Sequence, residues 1–89
     1  NDQMTHDLRN WKTAGSETFL DLYRILPGVP AERAFEELST MLGLIRHLTL
    51  EAEINGDHMA LGAARYLSAF AKAVADDIEL GKLYPNAQP

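Results

Sequence analysis

His47 and Glu51 stand four residues apart, a spacing that puts both side chains on one helical face, where an imidazole and a carboxylate could share a divalent cation. His58 follows beyond the next turn signal, with Glu53 and Asp57 close in sequence, so a mixed nitrogen and oxygen site around His47, Glu51 and His58 is the metal chemistry this chain could offer. The opposing reading is a set of solvated polar residues beside a loop. It is favoured because the chain has no Glu-x-x-His pair of the di-iron type, no His-Glu-x-x-His and no Cys-x-x-Cys. Nucleophilic chemistry has less support. Ser16, Ser39 and Ser68 lack the Gly-x-Ser-x-Gly turn that presents a reactive hydroxyl, and the scattered glycines form no phosphate-cradling loop. The carboxylate pairs Glu36-Glu37 and Asp76-Asp77 are adjacent, so on a helix they diverge by about 100° and cannot converge on one bond. The expectation is a protein without catalytic residues, cofactor or resident metal.

Asp77 stands apart for a different reason. It occupies the heptad position of Phe70 and Ala63, so it should point into or beside a helical seam, near a helix C-terminus where negative charge is unfavourable. The structural expectation is that it bonds free N–H groups at the start of the other helix, or pairs with Arg33 or Arg24. The functional alternative is that Asp76, Asp77 and Glu79 dock a basic partner.

The elements that must position these groups are two heptad ladders. Ala31, Leu38, Ile45 and Ala52 form the first, with Ala34, Met41 and Leu48 three residues on and Phe35 and Leu42 beside them. Ala60, Leu67 and Val74 form the second, joined by Ala63, Phe70, Ala64, Ala71 and Ile78. Asn55-Gly56-Asp57 between them is a turn signal, with Gly56 as the helix stop and Asp57 as the next N-cap. Pro30 suits the first helical position, followed by Glu32, Glu36 and Glu37 at the positive end. The pattern predicts an all-α fold, an antiparallel αα-hairpin over about residues 30–54 and 58–82.

Two segments precede the hairpin. Residues 1–18 are polar and read as a tail, with Met4, Leu8 and Trp11 marking one face of a short helix capped by Thr5. Residues 19–26 carry aromatic and β-branched side chains and end at Pro27-Gly28, which predicts a short extended segment. A lone strand needs a partner, so it should lie across the helices or pair with its copy in a second chain. The domain is then residues 19–89 behind a tail.

An 89-residue chain makes one domain with a marginal core. With 13 acidic against 8 scattered basic residues, the net charge of −5 argues against nucleic acid and anionic membrane surfaces as partners. The absence of cysteine excludes disulfides and fits a cytoplasmic setting, no apolar run approaches a membrane span, and no signal segment opens the chain. It opens on Asn1 rather than Met, so the natural start is expected upstream.

The apolar arc of the second helix is broader than one antiparallel neighbour can cover, while its charged face is the narrow row Arg65, Lys72 and Glu79. Leu44 and Leu50 lie outside the main stripe of the first helix. A two-fold homodimer forming a four-helix bundle would cover the surplus. The expected contact is Leu44, Tyr66, Ala73 and Leu80 on the helices, with Leu22 and Ile25 from the extended segment. The expected buried seam is Leu38, Ile45, Leu48, Leu67, Phe70 and Val74.

The run from Leu22 to Ser39, with Pro27-Gly-Val-Pro-Ala-Glu32 at its centre, resembles a family of small pseudomonad proteins of unknown function, and Tyr66-Leu67 and Ala71 to Asp77 resemble that family's second helix. The resemblance covers roughly residues 19–80 and leaves residues 1–18 outside. It implies a bacterial protein with an extended apolar segment before a helical hairpin, and it carries no activity, cofactor or catalytic residue.

Three functions follow in order. The first is a non-enzymatic, homodimeric interaction or regulatory module, with room for a further protein partner. The second is small-molecule binding between helices, lined by Tyr66, Trp11 or Phe19, which needs a pocket above about 300 Å3. The third is a metal-dependent enzyme through His47 and His58.

Overall fold

The structure is a computed structural model that describes residues 10–83. In chain order it contains β1 (Thr18–Phe19), β2 (Tyr23–Arg24), α1 (Ala31–Asn55) and α2 (His58–Leu83). The helical hairpin expected from the two ladders is present, preceded by a short two-stranded segment.

Backbone chemistry sets the helix ends. Pro30 is the N-cap of α1 rather than its first helical residue; it supplies no side-chain hydrogen bond, but its carbonyl accepts the Ala34 N–H at 3.0 Å. Gly56 ends α1 in the left-handed conformation, with φ +62°. Asp57 then caps α2, its Oδ1 accepting the Ala60 N–H at 3.1 Å.

The core between the helices is made from small residues. Ala31, Ala34 and Met41 are buried on α1, and Ala60, Ala64, Ala71, Val74 and Ile78 on α2. Alanine facing alanine lets helix backbones approach closely, so larger side chains one position round the cylinder are pushed to the flanks. Leu38, Ile45 and Leu67 are therefore half-buried against this core, Leu48 is likewise half-buried, and Phe70 stands partly exposed at the edge. Of the expected seam, Val74 alone is fully buried.

The expected tail is corrected over residues 10–18. This segment runs antiparallel to the return strand that leads into α1. Thr13 N–H donates to Val29 O at 2.8 Å, Gly28 N–H to Thr13 O at 2.8 Å and Ala31 N–H to Trp11 O at 2.9 Å. The Thr13 hydroxyl, buried with its residue, donates to Leu26 O and accepts the Val29 N–H at 3.0 Å. The apolar segment 19–26 turns back on itself, and its second half pairs with residues 13–18 of the same chain. β1 and β2 pair antiparallel, Thr18 opposite Arg24 and Phe19 opposite Tyr23. Met4, Thr5 and Leu8 lie outside the described residues.

The two strands are joined through Leu20, Asp21 and Leu22; the first two are at positive φ (56° and 57°), and Leu22 N–H closes the turn on Phe19 O at 3.2 Å. Two left-handed residues in succession match the right-handed twist of a hairpin, a geometry that ordinarily selects Asn and Gly. This β-hairpin and its flanking strands form a strap across one face of the helix pair near the start of α1 and the end of α2.

Candidate functional site: an anchored strap beside an apolar groove

The strap is fastened to α2 through Asp77. Its side chain is fully buried, and its carboxylate accepts three backbone N–H groups: Gly15 on Oδ2 at 2.7 Å, and Ser16 and Glu17 on Oδ1 at 2.8 Å each. Successive N–H groups converging on an anion make a backbone nest, and charge-assisted bonds of this kind offset the cost of removing a carboxylate from water. The Asp77 carbonyl also accepts the Ala14 N–H at 3.4 Å. The expectation that Asp77 satisfies free N–H groups therefore finds its donors in the strap, not at the start of α1 and not in an arginine. Arg33 pairs with Glu37 one turn on, and Arg24 donates to Gly15 O at 3.5 Å.

Gly15 makes the nest possible. It holds φ +80°, and a Cβ there would fall 2.5 Å from the Pro27 Cβ. Lys82 adds a second fastening from the end of α2, its ammonium 4.9 Å from the centre of the Trp11 ring. A third is aromatic: Phe19 stacks on Phe70 of α2 at 4.5 Å between ring centres and 10° between planes, with Tyr23 at 5.2 Å on the same ring.

Beside the strap lies an open groove of about 410 Å3. Phe19, Tyr23, Ile25 and Val29 form the strap wall, and Ala34, Phe70 and Val74 form the helical floor. Arg24, Arg33 and Glu37 stand among the lining residues, and the Thr13 hydroxyl in its wall is spent within the strap. Phe19 is the one expected ligand-lining residue found here; Trp11 and Tyr66 do not line it. The signal missed in the sequence was Gly15 at a fixed distance from Asp77, since neither residue announces the other.

The other candidate groups do not converge. Among the described residues no three His, Asp or Glu side chains come together as a metal site. His47 and His58 are exposed, and the Glu51 carboxylate accepts from the Asn55 amide at 2.7 Å. Of the expected contact residues, Leu44, Tyr66 and Leu22 are exposed, with Leu22 at 80%. Ile25 and Ala73 are buried within the chain and are withdrawn from that contact: Ile25 faces the core with its N–H bonded to Glu17 O at 3.0 Å, and Ala73, one turn before Asp77, belongs to the same buried cluster. Leu80 is half-buried.

The model of one protein family matches residues 11–81, from the first strand of the strap to the last turn of α2. The chain belongs to the DUF3077 family. That family is described as a protein of unknown function, in keeping with the expectation of an uncharacterised family. The DUF3077 match begins at residue 11, so the strap, Gly15 included, is part of the family's domain rather than a tail outside it. No curated protein and no solved structure matches the chain. Among the described residues, no helix of this DUF3077 chain is long and apolar enough to cross a membrane.

Proposed function

We propose that the protein is a non-enzymatic interaction module of the bacterial cytoplasm that works as a homodimer, two helical hairpins meeting as a four-helix bundle. The observation that carries this is the thinness of the fold. Its Cα trace measures 52 × 27 × 14 Å, a helix pair whose second layer is only the strap near one end, whereas stable domains bury apolar faces between two layers. Large apolar side chains accordingly point outward along the helices: Met59 is 84% exposed, Ile54 73% and Tyr66 65%, with Leu42 and Leu44 half open. A second hairpin supplies the missing layer.

Sedimentation equilibrium tests the proposal. The expected mass at micromolar concentration is about twice the 9.9 kDa chain. Tyr66→Glu should give a folded monomer, because a charge on the contact is duplicated by the two-fold axis. Ala73→Glu should instead unfold the chain, since Ala73 is already buried in the core. A wild-type protein that stays at 9.9 kDa overturns the dimer.

The groove favours a second reading, a small-molecule site, because its volume of about 410 Å3 lies within the range of ligand pockets. An apolar ligand seated there should quench or shift Trp11 fluorescence through the strap. Titration with anilinonaphthalene sulfonate, with Phe70→Ala as the comparison, separates groove binding from adhesion to the exposed helix faces.

A further inference from the structure

The lining of the groove divides by chemistry. Its buried wall is Ile25, Ala34 and Val74, with a Thr13 hydroxyl that already donates to Leu26 O and accepts the Val29 N–H. That wall suits an apolar body. The rim carries charge. Arg24 on β2 and Arg33 in the first turn of α1 stand with Glu37, the one carboxylate among the lining residues, so the rim is net positive in a chain of net charge −5. α1 also begins there without a side-chain cap, so the positive end of its dipole adds to the arginines, while Glu32 of the same turn lies outside the lining. Neither guanidinium is exhausted, since each has five N–H donors. Arg33 gives one nitrogen to Glu37, in a pair more than half exposed on both sides, and Arg24 makes a single bond of 3.5 Å to Gly15 O.

We infer that the groove binds a free aliphatic carboxylate of about ten carbons, its chain along Ile25, Ala34 and Val74 and its carboxylate between Arg24 and Arg33. This rests on the small-molecule reading above and goes further by naming the class of ligand and the residues that select it. Volume sets the size: 410 Å3, at ~30 Å3 for each non-hydrogen atom, holds on the order of a dozen of them. Charge sets the head group. A cation would meet two arginines, and a neutral molecule would leave them nothing to bond, whereas a planar guanidinium matches a carboxylate in a paired geometry. The aromatic rings favour a chain over a ring. Phe19 is stacked with both Phe70 and Tyr23, so stacking in the groove is already used by the protein itself. A flexible chain needs only side-on contact with their edges.

Calorimetric titration with decanoate below its micelle concentration, read beside amide chemical shifts, tests the inference. Decanoate should bind and move the amides of Ile25, Ala34 and Val74, not those of Ile54 and Met59 by the interhelical turn. Octanoate should bind about tenfold more weakly, because two fewer methylenes leave water. Decanol, which lacks the charge, should also bind about tenfold more weakly than decanoate. Arg24 and Arg33 are exposed, so Arg24→Gln with Arg33→Gln should keep the fold and bring decanoate down to the level of decanol. Decanol binding as tightly as decanoate, with no effect of the arginine changes, overturns the carboxylate and leaves the small-molecule reading standing. Naphthoate, an aromatic acid of similar size, binding more tightly than decanoate overturns the aliphatic chain in the same way. Shifts confined to Ile54 and Met59, or no binding of decanoate, decanol or anilinonaphthalene sulfonate, overturn both.

Discussion

The two residues that matter most for the strap are Asp77 and Gly15, and each can be changed alone. Asp77→Ala removes the only acceptor of three N–H groups, and Asp77→Asn turns an amide donor toward one of them. Both should cost about 3–5 kcal/mol, a large fraction of the stability of so small a domain. Hydrogen exchange is the sharper measurement. The Gly15, Ser16 and Glu17 amides should lose protection in Asp77→Ala, and continued protection there would remove the carboxylate from its role. Gly15 and Gly56 both hold positive φ, but their surroundings differ. Gly56 is open, so Gly56→Ala should cost about 1 kcal/mol for the backbone alone. Gly15→Ala must also displace Pro27, so its denaturation midpoint should fall well below that of Gly56→Ala. The reverse order would show that the strap does not close against Pro27.

At the scale of elements, the helices were legible because their signals are local. Gly56, Asp57 and the seven-residue recurrence of apolar positions each act within a turn or two of the chain, and the structure places the helix ends within a residue of the expected ones. The strap was not legible, because what orders it is distant. Thr13 and Ser16 read as tail residues by polarity, yet one is buried by pairing with residues 26–29 and the other bonds a carboxylate on α2. Heptad position also misplaced one aromatic ring. Phe70 shares the Ala63 row, but the alanine core lets the helices close until that row becomes an edge. Phe70→Ala should therefore cost about 1–2 kcal/mol through lost stacking on Phe19, against about 2–5 kcal/mol for Ile78→Ala in the buried core. Equal losses in thermal melts would return Phe70 to the seam. The β-hairpin carries a cost that can be relieved. Replacing Leu20-Asp21 by Asn-Gly suits the positive φ of both positions and should stabilise the fold by about 1 kcal/mol; no gain in the urea midpoint would mean that the turn is not strained.

For the whole molecule, sequence periodicity exposed the surplus of apolar surface but not which portion of it the chain would cover for itself. Ile25 and Ala73 are buried in the chain's own core, while Leu44, Tyr66 and Met59 stay exposed. That division separates the positions where a charge should unfold the protein from those where it should only dissociate the dimer proposed above. The anchoring of the strap also gives the molecule a history. Ser16 and the carboxylate it bonds are 61 residues apart, so at about 5–20 residues per second the ribosome completes the strap several seconds before it makes Asp77. Until then the three amides have only water to bond, and the apolar ring of Phe19 has no Phe70 to lie against. The first third of the chain therefore waits for the last fifth. A nascent chain stalled before Asp77 should be cut by protease within the strap, and release of the remaining residues should make it resistant.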